Sequence, residues 1–194
     1  STGKLYAQII NAAPFDVFLA ADSRRPELLE QQGLAVAGSR FTYAIGRLVL
    51  WSPQPGRLDD PVVTLREGNF SRLAIAHPRL APYGSAALQL LQALGLDQAL
   101  AAKLVRGENV NQAYQFVKTG NAQLGFVAYA QLQRPGAGIG GSSWLVPQSL
   151  YSPIRQQAVL LKDNPASREF HEFLRSRQVI NMLTDFGYDS EHAD

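Results

Sequence analysis

Residues Ser1 to Asp22 read STGKLYAQIINAAPFDVFLAAD, and three segments follow one another within them. Lys4 to Asn11 places Leu5 and Ile9, with Tyr6 and Ile10 beside them, on one helical face after a Ser-Thr-Gly start that can cap it. Pro14 to Ala20 is too short for a helix and rich in β-formers, which predicts a buried strand. Asp22 or Ser23 then caps a second helix, with Pro26 near its first turn and Gly33 as its stop. Helix, strand and helix in succession is the alternation of an α/β fold.

Outward from this stretch the alternation continues. Phe41 to Trp51 (FTYAIGRLVLW) predicts a long strand, interrupted by Gly46, with enough length to pass between two lobes. Ser52 to Asn69, with Pro53, Pro55, Gly56, Pro61 and Gly68, reads as loop with a small helix at most. Arg72 to Ala76 predicts a buried strand, and His77 to Gly84 a loop. A helix follows from Ser85 to Leu94, with Leu88, Leu91 and Leu94 on one face, and another from Asp97 to Leu104. Leu104 to Arg106 reads as a short strand, and Asn109 as the cap of a helix over Val110 to Thr119. Leu124 to Ala128 predicts a further buried strand, Arg134 to Ser143 a glycine-rich flexible loop, and Trp144 to Val146 a strand. Ile154 to Leu161 is a second crossing strand, Ser167 caps a helix through Leu174 that exposes His171, and Val179 to Phe186 forms the last helix.

Composition narrows the function. The chain has 194 residues, 46% hydrophobic and 18% charged, enough for one large or two small domains with real cores and too apolar for a disordered tail. The formal charge is +2 and the pI about 9.0, yet no basic stripe exists for nucleic acid to follow. Cysteine is absent, which excludes disulfides, thiolate catalysis and thiolate metal sites. No run of about 18 apolar residues suits a bilayer span, and Ser1-Thr2-Gly3-Lys4 does not begin a signal peptide.

Catalytic signatures are weak. G-x-S-x-G, H-E-x-x-H and G-x-x-x-x-G-K-[ST] are all missing. Of His77, His171 and His192, only His77 sits like a catalytic residue, on a loop after a strand, and a plain loop histidine beside Pro78 is the favoured account of it. Asp16 and Asp22 read as a strand-end residue and a helix cap. What recurs is a helix start with small or hydroxylated residues: Ser1-Thr2-Gly3, Pro82-Tyr83-Gly84-Ser85 and Glu108-Asn109-Val110. Each offers amide donors and a positive dipole end, and three facing one cleft would make a nest of neutral donors for an oxyanion.

Those motifs, with Ser1 to Asp22, Gly38 to Gly46, Leu124-Gly125-Phe126-Val127-Ala128 and Phe186-Gly187-Tyr188, resemble the periplasmic molybdate-binding proteins of ABC transporters, in order over nearly the whole chain. The resemblance implies a two-lobed α/β fold of the type II periplasmic-binding-protein kind, with residues 1–46 and 156–194 as lobe one, 47–155 as lobe two, and two crossing strands as hinge. It implies high-affinity binding of molybdate or tungstate in the interlobe cleft, delivery to a membrane permease, no enzymatic activity, no cofactor, a periplasmic location and a monomer. The metal is held only as its oxyanion. Carried over residue by residue, Thr2 contacts the anion through its hydroxyl and N–H, Ser1 stands beside it, and Tyr83 and Val110 donate backbone amides. Many members carry a Tyr where this sequence has Ala128, so the Tyr83 phenol is expected to replace it. Molybdate is fully deprotonated at neutral pH, so a site of donors alone suits it, whereas hydrogen phosphate brings a proton with no acceptor to meet it.

Two other readings stay open on sequence: a binding protein or regulator effector domain for another oxyanion such as sulfate, and an enzyme on a small anion with His77 as acid or base. Family members begin with a strand, a first hydroxyl-bearing loop, a helix and a second strand ahead of the Ser1-Thr2-Gly3 motif. The resemblance therefore implies a chain short of that unit, and weak or absent anion binding by these 194 residues alone.

Overall fold

The computed structural model describes residues 1–133 and 140–191. In chain order the elements are α1 (Thr2–Ile10), β1 (Val17–Ala20), α2 (Arg24–Gln31), β2 (Phe41–Gly46), β3 (Leu48–Ser52), α3 (Pro61–Glu67), β4 (Leu73–Ala76), α4 (Pro82–Ala93), α5 (Asp97–Leu100), β5 (Leu104–Gly107), α6 (Val110–Lys118), β6 (Leu124–Ala128), α7 (Tyr129–Leu132), β7 (Ser142–Leu145), β8 (Ile154–Leu160), α8 (Pro165–Phe173) and α9 (Arg177–Asp185). The chain divides into two units, one of residues 2–46 and 154–194, the other of Ser1 with 47–153.

In the first unit β8 is the middle strand of three, antiparallel to β1 and to β2. Ile9 of α1, Leu29 of α2, Phe18, Ala20 and Val159 form its buried cluster. β1 is half-buried rather than buried throughout: Phe18 and Ala20 face the core while Leu19 is 37% exposed. An edge strand covered on one face alternates in this way. α8 corrects two expectations. Its cap is Asn164, whose side chain accepts from the Ser167 amide at 3.0 Å while the Ser167 hydroxyl accepts from the Asn164 amide. His171 is buried, not exposed, and Phe170 and Phe173 face outward instead.

In the other unit five strands run in the order β5-β4-β6-β3-β7, with β4 parallel to both β5 and β6, and β3 antiparallel to β6 and β7. β4 and β6 are buried along their whole length, as their continuous apolar runs predict. α6 packs Ala113 and Val117 onto this sheet, against Val49, Trp51, Ala74 and Val127. Gly125 allows that approach, because a Cβ there would stand 2.6 Å from the Val117 side chain and 2.9 Å from that of Ala74.

The stretch from Phe41 to Trp51 is two strands, not one. β2 pairs with β8 and β3 with β6 and β7, and Arg47 alone separates them, its carbonyl accepting from the Tyr129 amide at 2.9 Å. α7 goes unannounced in the sequence. Most of the glycine-rich stretch from Arg134 lies outside the described residues, as does His192.

Candidate functional site

Three parallel strands of the five-stranded sheet, β4, β5 and β6, each lead directly or by a short turn into a helix: α4, α6 and α7. Their helix starts therefore gather beyond the carboxyl ends of the strands, where open α/β sheets bind ligands. The His77 amide donates to the Gly107 carbonyl at 2.7 Å and ties the ends of β4 and β5 together.

At α4, Pro82 is the first helical residue and has no N–H, so the first amide of the helix is that of Tyr83. The Tyr83 side chain is buried. Gly84 lets the first turn press onto the end of β4, since a Cβ there would stand 2.2 Å from the Ala76 carbonyl oxygen. At α6, Asn109 is an extended cap whose Oδ1 accepts from the Gln112 amide at 3.0 Å, and the Gln112 side chain accepts from the Glu108 amide at 2.7 Å. This reciprocal pair satisfies the third helical amide and leaves those of Val110 and Asn111 without a protein acceptor among the described residues. Tyr83 and Val110 are thus the first amide-bearing residues of two neighbouring helix starts.

In the other unit α1 opens at the carboxyl end of β1. The Ala21 amide donates to Thr2 Oγ1 at 3.0 Å, and Thr2 is buried. A hydroxyl that accepts from an amide still has its own proton to give, so Thr2 is held as a donor. Ser1 precedes α1 and groups with residues 47–153; its Oγ is buried and has no hydrogen-bond partner among the described residues. A buried hydroxyl without a partner costs roughly 1–3 kcal/mol, a cost that a bound acceptor would remove.

The remaining candidates take structural roles. His77 Nδ1 accepts from the Arg79 amide at 3.2 Å, closing the turn after β4. Asp22 accepts from the Arg25 amide at 2.9 Å at the start of α2, and Asp16 pairs with Lys162 at 3.0 Å. Among the described residues no group of three or more His, Asp or Glu side chains could hold a metal ion. No described helix is long and apolar enough to cross a membrane.

The profile of the bacterial extracellular solute-binding proteins matches residues 1–189, and the chain belongs to that family. Within it the chain groups with the molybdate-binding proteins. It is 53% identical over 190 residues to the molybdate-binding protein ModA of Azotobacter vinelandii, a match covering 96% of this chain and 75% of the relative. ModA of Rhodobacter capsulatus is 47% identical over 193 residues, with 98% of this chain and 75% of the relative covered. The solved periplasmic molybdate-binding protein of Azotobacter vinelandii superposes with a TM-score of 0.94 at 42% identity, over 99% of this chain and 85% of that one. The fold is that of the type II periplasmic binding proteins.

Proposed function

We propose that this chain binds molybdate or tungstate as the intact oxyanion, with Thr2, Ser1, Tyr83 and Val110 as donors, and delivers it as a periplasmic monomer to the permease of an ABC transporter. The observation that carries the reading is the polarity of the helix starts. Val110 contributes an unpaired amide, Thr2 a hydroxyl that accepts from Ala21 and keeps its own proton to donate, and Ser1 a buried hydroxyl with no partner among the described residues. Such groups suit an anion that carries no proton, and the helix dipoles favour its charge without a lysine or arginine. The named function of the relatives at 53% and 47% identity supports the same ligand.

The test is a titration with molybdate, tungstate, sulfate and phosphate, followed by the emission of Trp51 and Trp144. Molybdate and tungstate are expected to saturate the signal at concentrations at which sulfate and phosphate leave it unchanged. The order carries the reading at any absolute affinity. A response to sulfate alone, or to none of the four, overturns it.

A further inference from the structure

Gln131 joins two of the helix starts at the strand ends of the five-stranded sheet. It is 7% exposed, its Oε1 accepts from the Ala128 amide at 3.0 Å, and its Nε2 donates to Asn111 Oδ1 at 2.8 Å. A backbone N–H can only donate, so the side-chain oxygen must face Ala128 and the orientation of the Gln131 amide is decided by chemistry. Nε2 then faces Asn111, which must answer with its own oxygen. Asn111 is the second residue of α6, exposed, and adjacent to Val110. With Oδ1 turned to Gln131, the Nδ2 group and its two donors are what the side chain directs away from Gln131.

We propose that Gln131 is a specificity-determining positioning residue, which holds the Asn111 oxygen inward and so keeps the start of α6 a surface of donors alone. The proposal rests on the oxyanion reading above and names how this site refuses a protonated anion. Hydrogen phosphate must donate its O–H, and an Asn111 free to turn its amide by half a rotation would supply the acceptor. The Ala128 amide, relayed through Gln131 and Asn111, withholds it. The relay needs no contact between Gln131 and the ligand.

The experiment measures the affinities of molybdate and phosphate at pH 7.5 for the wild type and for Gln131→Glu. The carboxylate keeps the size of the amide and still accepts from Ala128, but it accepts on its other oxygen too, so Asn111 must turn Nδ2 inward and Oδ1 outward. The preference for molybdate over phosphate is expected to fall about tenfold, the scale on which one mismatched hydrogen bond discriminates. The added negative charge weakens both dianions alike and cancels in the ratio. Combining Gln131→Glu with Asn111→Ala removes the outward acceptor and is expected to restore the preference. A merely structural role would lower stability and both affinities together and leave the ratio alone. If the wild type binds molybdate and Gln131→Glu keeps its ratio within twofold, the inference is overturned; if the wild type binds no oxyanion, the oxyanion reading falls first. Should Gln131→Glu not fold, Asn111→Asp at the exposed position places a carboxylate oxygen outward with Gln131 intact. It must lower the ratio as far, and an unchanged ratio overturns the inference.

Discussion

Gly84→Ala sets helix propensity against packing, and the two predict opposite signs. Replacing a helical glycine by alanine stabilises by up to about 1 kcal/mol where space allows. Here a Cβ would stand 2.2 Å from the carbonyl oxygen of Ala76, 2.6 Å from its carbonyl carbon and 2.9 Å from that of His77. All three are backbone atoms, so no side chain can turn aside, and the first turn of α4 must retreat from β4 by roughly 1 Å to restore ordinary contact distances. Overpacking of this kind costs about 3 kcal/mol, and against the propensity gain the net loss is about 2 kcal/mol. With a urea slope of about 2 kcal/mol per molar for a unit of this size, the unfolding midpoint should fall by about 1 M. Trp51 reports on the same sheet, stacked on Tyr114 with ring centroids 5.3 Å apart, so its emission during urea unfolding is the assay. Because the same retreat carries the Tyr83 amide with it, molybdate affinity should drop as well. A midpoint unchanged or raised would mean that α4 does not press on the strand end.

Other perturbations separate the site from its scaffold. Thr2→Val leaves the Ala21 amide without its acceptor and is expected to cost about 1–3 kcal/mol in thermal unfolding together with anion affinity, whereas Thr2→Ser should retain both. Tyr83→Phe should weaken molybdate binding at least about fivefold, the worth of a single hydrogen bond, if the phenol is a donor to the anion; equal affinity in a calorimetric titration removes the phenol from the site. Burial first, and the charge of Arg175 second, hold the His171 pKa below the ordinary 6.5. The unfolded chain therefore takes up this proton first, so the stability present above pH 6.5 is lost as pH falls from there toward the folded value. His171→Gln should remove that share of the decline, read as a smaller drop in Tm between pH 7.5 and 5.5; an identical drop refutes the assignment.

The α/β alternation was legible because β4 and β6 are continuous apolar runs between helix signals, and buried parallel strands read that way. The start of α6 was legible through its Asn109 cap, whereas the helix expected from Ser85 begins at Pro82, inside the stretch read as loop, because a proline at the first helical position fits either reading locally. Other features are decided by partners distant in sequence. The break at Arg47 is invisible in FTYAIGRLVLW, because Gly46 and Leu48 differ by the sheet they join and not by local preference. In α8 the apolar residues point the wrong way. Ser167 and His171 are tolerated inside because the Ser167 hydroxyl donates to the Lys162 carbonyl at 2.7 Å and His171 meets Phe41 edge to face at 4.8 Å, and neither partner lies on α8 itself, where a periodicity would find it. Gln131 left no signal at all, since a glutamine in a four-residue helix becomes informative only once Ala128 and Asn111 are seen on either side of its amide.

The middle position of β8 has a consequence for synthesis. Residues 17–20 and 41–46 leave the ribosome before residues 154–160, yet both of their strands pair with that later segment and neither pairs with the other. All five strands of the other sheet lie between Leu48 and Leu145 and meet their partners first. At about 5–20 residues per second, β2 waits roughly ten seconds for the strand that completes its ladder. For that interval its backbone donors and acceptors lack the β8 ladder, and the growing chain exposes Ile9, Phe18 and Leu29, whose packing partner Val159 is not yet made, so a holding factor would find its longest-lived target in residues 2–46 and not in the continuous segment that follows.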